Sequence, residues 1–153
     1  MSDPARAVFD CNVLLQALLS STGPAGQLVQ AVIGGKVSLF VSQYVLEELR
    51  DVASRPKVAN KFKLTSDVVE RYCGLIISYA TLVENVPHVF DFPRDPDDAH
   101  YVDLAIAISG TLIVSRDKDL LSLRDAATAE GQDFSARFPQ IEILTPSEAL
   151  IRL

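Results

Sequence analysis

Short apolar segments alternate with helical patterns along this chain, and this alternation restricts its fold more than any other feature. Segments of strand length and apolar character occupy residues 7–9, 37–42, 81–83, 111–115 and 141–144. Two strands joined through a helix run in the same direction, because the helix carries the chain back to the starting edge of the sheet. The sequence therefore predicts an α/β fold, with a mostly parallel central sheet in a single domain over residues 1–153.

Helix start and stop signals divide the intervening segments. The predicted helices cover residues 13–19, 25–33, 44–53, 67–79 and 120–129, with one that opens at Pro96 and a short one after Thr145. Ser42 is a predicted N-cap, and either Thr65 or Ser66 is another. Residues 86–94 and 131–139 are predicted to be extended or loop segments, because proline or glycine interrupts them.

The chain carries a formal net charge of −6 and two cysteines, Cys11 and Cys73, that lack metal-type spacing. A negative charge disfavours a nucleic-acid-binding module held by charge alone, but it is compatible with a nuclease whose metal site requires clustered acids. The apolar runs are too short to span a membrane, and the N-terminus lacks an apolar segment of signal-peptide form. We therefore expect a cytoplasmic protein without membrane contact.

Polar side chains directly follow three of the predicted strands. Asp10 leaves the first strand, Ser42 ends the second, and Asp117 follows the strand that ends at Ser115. The carboxyl ends of parallel strands share one edge of the sheet, and ligands bind beyond that edge. These three signals therefore converge, although Asp10 also fits an ordinary strand-to-helix turn, and both interpretations stay open for it.

The helix before the fourth strand carries acids in its first turn, as helix starts commonly do, and this accounts for Asp95 and Asp97. At about 100° per residue, Asp98 projects along the face predicted to pack against the core. His100 and Asp103 lie on the opposite side, where Asp103 is expected to be exposed. A carboxylate on a buried face is costly unless a cation meets it, so Asp98 is a candidate metal ligand.

In each of two further pairs of acids, the positions of the two residues distinguish the candidate metal ligand from its neighbour. In the helix over residues 44–53, Glu48 flanks the apolar face and Glu47 points away from it, so Glu48 is the candidate ligand. That both are surface charges stays an alternative. In the loop after the fourth strand, Asp119 is a candidate cap for the next helix, and Asp117 is the better candidate for metal binding.

The candidate donors are carboxylates and an amide, which suit hard ions such as Mg²⁺ or Mn²⁺. His88 and His100 lack the spacing of a zinc site. The sequence contains no Gly-Lys-Ser/Thr phosphate loop, no Gly-x-Gly-x-x-Gly and no Gly-x-Ser-x-Gly. These absences disfavour nucleotide hydrolysis, dinucleotide binding and serine hydrolysis.

Four sequence segments, taken in order, resemble a PIN domain. They are VFDCNVL at residues 8–14, VLEEL at 45–49, DPDD at 95–98 and IVSRDKDLL at 113–121. The nearest subgroup is that of single-domain prokaryotic PIN proteins of the toxin–antitoxin type. The similarity covers nearly the whole chain, including ILTPSE at residues 143–148.

The resemblance implies a three-layer α/β/α fold and a Mg²⁺- or Mn²⁺-dependent endoribonuclease. It assigns the catalytic metal ligands to Asp10, Glu48, Asp98 and Asp117, and supporting positions to Asn12, Ser42, Ser115 and Asp119. It also implies an RNA substrate, an antitoxin partner and a homodimer. Basic residues that could contact substrate phosphates are Arg50, Arg116 and Lys118, together with Arg55, Lys57, Lys61 and Lys63, although solvated surface charge stays the favoured interpretation for each of them taken singly.

Four carboxylates in one pocket repel one another, and one or two divalent ions would relieve that repulsion. An ion would activate water for in-line attack on phosphorus, and a second ion about 3.5–4 Å away would stabilise the leaving oxygen. An aspartyl-phosphate phosphatase is an alternative that Asn12 weakens, because that chemistry requires a second acid two residues after the nucleophile. A receiver-like phosphoacceptor and a metal- or RNA-binding module without turnover stay open as well.

Overall fold

The chain folds around a five-stranded parallel sheet. The structure, a computed structural model, describes residues 3–153. Its strands are β1 (Ala5–Phe9), β2 (Val37–Ser42), β3 (Thr81–Val83), β4 (Leu112–Val114) and β5 (Glu142–Leu144). They lie in the order β3-β2-β1-β4-β5, and every neighbouring pair is parallel. The predicted α/β fold with a parallel central sheet is confirmed.

Helices cover both faces of the sheet. In the described residues they are α1 (Cys11–Leu19), α2 (Pro24–Ile33), α3 (Gln43–Ser54), α4 (Pro56–Phe62), α5 (Ser66–Tyr79), α6 (Ala99–Ala107), α7 (Lys118–Ser122), α8 (Ala129–Arg137) and α9 (Pro146–Arg152). A 3₁₀ turn, Pro96–Asp98, directly precedes α6. Because parallel crossovers are right-handed, the helices that lead to β2 and β3 lie on one face, and α6, which contacts β1, β2 and β4, lies on the other. The arrangement is a three-layer α/β/α sandwich.

The central strand β1 and its neighbour β4 are buried on both faces. Residues 7–9 and 112–114 are each at most 4% exposed, which explains their uninterrupted apolar sequence. The chain first leaves β1 towards β2 and later pairs β4 with the other side of β1. This reversal opens a crevice beyond the carboxyl ends of β1 and β4, which is where ligands bind in sheets of this kind. Asp10 and residues 115–119 lie at that crevice.

The region after β4 differs from the sequence prediction. The helix predicted over residues 120–129 is wrong, because α7 ends at Ser122 and turns follow it. The loop predicted over residues 131–139 is also wrong, because α8 occupies most of it. The basic segment after α3, for which no element was predicted, forms the short helix α4.

Tertiary contacts hold α8 in place. The hydroxyl of Thr128 accepts the N–H of Gly131 at 3.0 Å and caps the helix. Phe134 is buried and packs edge-on against Phe90, with ring centroids 5.8 Å apart. A short helix is stabilised mainly by such packing rather than by its own propensity, so its sequence alone showed no clear period.

Gly131→Ala is expected to destabilise the protein, because a Cβ at this position would overlap the carbonyl oxygen of Asp125. Overpacking of this kind costs about 1–3 kcal/mol. Gly74→Ala in α5 is the matched control, since a Cβ there meets nothing within 4 Å and alanine is the better helix former. Urea unfolding should give a lower midpoint for Gly131→Ala and an equal or higher one for Gly74→Ala. Coincident unfolding curves for Gly131→Ala and the wild type would contradict the close approach of Gly131 to the carbonyl oxygen of Asp125.

Candidate metal centre

Asp10 is a buried acid at the end of β1. Its N–H donates to the carbonyl oxygen of Val114 at 3.1 Å, and one carboxylate oxygen accepts the N–H of Val13 at 2.9 Å as the N-cap of α1. The other oxygen accepts the hydroxyl of Ser115. Burial raises the pKa of Asp10 above its ordinary value, although these hydrogen bonds lower it, and the charge of Asp117 raises it further. A carboxylate in this environment is stabilised by a nearby cation.

Ser115 connects the ends of β1 and β4. It is fully buried, and its hydroxyl donates to Asp10 while accepting the N–H of Asp117 at 2.9 Å. Asp117 in turn is the N-cap of α7, where one of its oxygens accepts the N–H of Asp119 at 2.7 Å. One buried hydroxyl therefore fixes two acids from distant parts of the chain beside each other.

Asp95, Asp117 and Asp119 form a group of converging carboxylates. One oxygen from each lies within 4.8 Å of the other two. Asp95 lies at the N-cap position of the 3₁₀ turn, as expected for a helix-start acid, but its side chain makes no capping hydrogen bond and is directed to the other carboxylates instead. The sequence could not show this, because an aspartate before Pro96 fits either role. Three carboxylate oxygens at this spacing are suited to a hard divalent cation.

Asp98 completes the acidic cluster, which comprises Asp10, Asp95, Asp98, Asp117 and Asp119. Asp98 is half-buried. Burial raises its pKa to about 9, together with a hydrogen bond to Asp117 and the charge of Asp95. Two carboxyl groups in hydrogen-bond contact do not both ionise unless another charge neutralises them. The structure thus brings together three of the four acids that the sequence indicated.

Glu48, the fourth of these acids, is held in a separate network. One carboxylate oxygen bonds Nε2 of His100, and the other accepts from the Tyr101 hydroxyl at 3.0 Å and the Cys11 thiol at 3.5 Å. Burial would raise the pKa of Glu48, but the hydrogen bonds and charge of His100, with Tyr101, outweigh it and hold the pKa below its usual value. Among the described residues, Glu48 makes no hydrogen bond to the acidic cluster. Cys11, the neighbour of Asp10, connects the two groups.

His100 is a residue of this network that the sequence analysis missed. The helical period put it on the side of α6 away from the core, but residues 101–105 are each at most 4% exposed, so α6 is covered nearly all round. The His100 ring reaches Glu48 and packs against Tyr44, with centroids 5.8 Å apart. Its Nδ1 is buried without a hydrogen-bond partner. A single-face analysis fails for a helix covered on two sides.

Asp103, which was predicted to be exposed, is instead buried at 4% exposure. One of its oxygens accepts the N–H groups of Val89 and Phe90 at 2.9 and 2.7 Å, and the other bonds Nδ1 of His88 at 2.8 Å. The loop after β3 therefore folds back over the side of α6 that the helical period assigned to solvent. Asp103 anchors this loop, which leads into the acidic cluster.

A comparison with known families identifies the fold. A family model described as a PIN domain matches residues 6–119, a span that contains the whole acidic cluster and Glu48. The chain belongs to the PIN-domain family. PIN domains are generally nucleases, those nucleases act on RNA, and they typically use divalent metals.

The chain is also similar to a protein of an archaeon. The chain is 25% identical over 143 residues to the uncharacterized protein MJ1680 of Methanocaldococcus jannaschii, across 94% of this chain and 88% of that protein.

None of the helices within residues 3–153 combines the length and the apolar composition that a membrane span requires.

The predicted supporting residues of the PIN domain have different surroundings. Ser42 is buried and accepts the N–H of Val45 at 3.4 Å, which confirms its predicted capping of α3. Asn12 is exposed in the first turn of α1, with its side-chain oxygen 4.0 Å from the thiol sulfur of Cys11. Asp119 belongs to the group of converging carboxylates.

The basic residues proposed for substrate contact are also placed. Arg50 is paired with Glu70 of α5, at 2.7 Å. Arg116 is exposed and donates to the side-chain oxygen of Gln16 at 2.8 Å, and Lys118 is exposed at the first residue of α7. Arg116 and Lys118 therefore border the acidic cluster, while Arg50 is held between α3 and α5.

Raising the pH is expected to lower the thermal stability of the protein without added metal. Asp98 keeps its proton in the folded state from its ordinary pKa of 3.8 up to about 9, a range in which the unfolded chain has lost it. The folded state then binds more protons, so the free energy of unfolding falls as the pH rises. A divalent ion such as Mn²⁺, if bound at the cluster, would take the place of the proton, so the rise in Tm that it causes should grow with pH.

Thermal unfolding between about pH 6 and about pH 9, with and without Mn²⁺, measures this dependence. Asp98→Asn should remove most of it, whereas Asp97→Asn at the exposed neighbouring position should keep it. An Mn²⁺ effect of the same size at every pH would show that no carboxyl proton is displaced.

Proposed function

We propose that this PIN domain is a Mg²⁺- or Mn²⁺-dependent endoribonuclease that hydrolyses RNA phosphodiester bonds. The observation that carries this proposal is the convergence of the Asp95, Asp117 and Asp119 carboxylates in the crevice beyond β1 and β4. Asp10 and Asp98 border the same group and have raised pKa values. Such a concentration of negative charge is costly in a folded protein unless it serves to bind a cation.

In this proposal, Asp10 and Asp117 hold the ion, and Glu48 and Asp98 complete the site directly or through water. A bound divalent ion would supply Lewis-acid activation of water and neutralise charge that develops on the phosphate. Ser115 keeps Asp10 and Asp117 beside each other through its two hydrogen bonds. Asp98 gives up its proton on metal binding, because a ligating carboxylate must be ionised.

The structure supports an extension of the ligand set. Asp95 and Asp119 contribute oxygens to the converging group, so we assign them to the metal site as well. Glu48, whose two oxygens are already engaged, acts best through a bridging water. Arg116 and Lys118 are the residues best placed to bind substrate phosphates, since Arg50 would first have to leave Glu70.

Further proposals come from the sequence resemblance. We infer a toxin that an antitoxin partner counters, a homodimer, a cytoplasmic location and a single PIN-like domain over residues 1–153. Sedimentation of the purified chain tests the dimer, and growth arrest on expression tests the toxin.

The proposed activity is tested by incubating the purified protein with structured and unstructured RNA under single-turnover conditions. Cleavage is expected with Mg²⁺ or Mn²⁺, should stop in EDTA and should return on addition of the ion. Mn²⁺ binding without cleavage of either RNA would favour a non-catalytic module. Trapping of a phosphoryl group on Asp10 would favour the phosphatase instead.

A further inference from the structure

A groove of about 400 Å³ lies beyond the carboxyl ends of β2 and β3. Ser42, Gln43 and Tyr44 line it at the start of α3, and Glu84 and Asn85 line it after β3. Parallel strands lie about 4.8 Å apart, so the groove is roughly 10 Å from the acidic cluster along the same edge of the sheet. A nucleic-acid strand that crosses the cluster can therefore reach the groove.

Tyr44 supplies a large exposed ring in this groove. Its side chain is 58% exposed, and one part of its ring packs against His100 at a centroid distance of 5.8 Å. His100 in turn bonds Glu48, one helical turn after Tyr44 on α3. The ring is thus held from behind and open towards the groove, which is the arrangement of a stacking platform for a flat ligand.

The charge of the groove disfavours the binding of a phosphate group. Among the described residues that line it, Glu47 and Glu84 carry charge, and none is lysine or arginine. Carboxylates repel a phosphate group but accept hydrogen bonds from amino groups. Cytosine, adenine and guanine each carry such an amino group on their base-pairing edge, whereas uracil has none.

We propose that this groove binds a nucleobase of the RNA strand whose phosphate lies at the acidic cluster. The base stacks on Tyr44 and directs its exocyclic amino group to Glu47 and Glu84, and uracil is disfavoured. This inference rests on the proposed ribonuclease function for the identity of the ligand. It adds the position and the chemical preference of a base-binding subsite.

The test is the binding of fluorescently labelled oligo(rC), oligo(rA) and oligo(rU), followed by anisotropy in Ca²⁺ with gels to confirm that the RNA stays intact. Wild-type protein should bind oligo(rC) and oligo(rA) more tightly than oligo(rU). Tyr44→Ala should weaken binding of oligo(rC) by about 5- to 150-fold, the range expected for loss of one stacked base. Tyr44→Phe restores the ring and should recover that affinity.

Matched variants separate the groove from general effects. Tyr79→Ala removes a tyrosine of α5 that is 50% exposed and does not line the groove, and it should bind like the wild type. Glu47→Gln combined with Glu84→Gln should reduce the preference for oligo(rC) over oligo(rU). Wild-type affinity of Tyr44→Ala for oligo(rC), or equal affinity of the wild type for oligo(rU) and oligo(rC), would overturn the proposal.

Two measurements distinguish this inference from the proposed function. The Mn²⁺ affinity of Tyr44→Ala should match that of the wild type. A loss of Mn²⁺ affinity would mean that Tyr44 merely supports His100 and Glu48, and the subsite would then be rejected. Metal-dependent cleavage without any effect of Tyr44→Ala would retain the nuclease and reject the subsite. Base-selective binding without cleavage would retain the subsite and reject the nuclease.

Discussion

Asp117→Asn is expected to lower metal-dependent RNA cleavage by at least about 100-fold, because removal of a group that only orients a metal ligand already costs 10- to 100-fold. Asparagine keeps the shape of the side chain and an oxygen that can accept the N–H of Asp119, so α7 should stay capped. What it removes is the charge at the centre of the acidic cluster. Asp10→Asn should have a similar effect, since its amide oxygen can still cap α1.

The control for this prediction is Asp97→Asn, an exposed acid of the same 3₁₀ turn as Asp98. It should cleave RNA at the wild-type rate. Asp95→Asn adds a sharper comparison, because the sequence accounted for Asp95 as an ordinary helix-start acid and the structure places it with Asp117 and Asp119. Loss of Mn²⁺ affinity in Asp95→Asn would support the structural assignment. Cleavage by Asp117→Asn at the wild-type rate would remove the basis for the proposed chemistry.

Asp103→Ala is expected to lower the free energy of unfolding by about 3 kcal/mol, the cost of losing hydrogen bonds to a charged group and leaving their partners unsatisfied. The change strips the buried N–H groups of Val89 and Phe90 of their acceptor. It also removes the partner of His88. For a domain of this size the fall in Tm should be roughly 6–12 °C.

Asp103→Asn should cost less, because its amide oxygen can still accept one of the two N–H groups. Asp133→Ala, at an exposed position of α8, is the control and should shift stability by no more than about 0.5 kcal/mol. Hydrogen exchange should locate the loss of protection in the loop after β3. An Asp103→Ala protein with the same Tm as the Asp133→Ala control would refute the anchoring role.

Part of this stability depends on pH. Asp103 bonds His88 and raises the pKa of its imidazole above the ordinary 6.5. The contribution of the charged pair is therefore fully present below about pH 6.5 and is lost as the pH rises through the raised pKa. His88→Gln should remove this pH dependence while keeping the two backbone hydrogen bonds of Asp103.

The helix α6 shows what apolar periodicity can and cannot predict about the burial of side chains. Apolar spacing indicated an inward direction for Asp98, which the structure leaves half-buried at the crevice. The same reasoning assigned Asp103 to solvent and overlooked His100. It assumes that one side of a helix faces water, but the loop after β3 covers that side of α6 through its bonds to Asp103.

The sequence alone was sufficient for the strands, the parallel sheet and the edge at which Asp10 and Asp117 meet. Apolar runs and helix signals are local, and parallel topology then leaves the carboxyl ends of the strands at one side. Only the tertiary structure decided that Asp95 joins Asp117 and Asp119, that Glu48 is bound by His100, and that Asp103 is an internal anchor. Each of these depends on contacts between residues far apart in the chain, and the type of a side chain does not show which distant neighbour will satisfy or neutralise it.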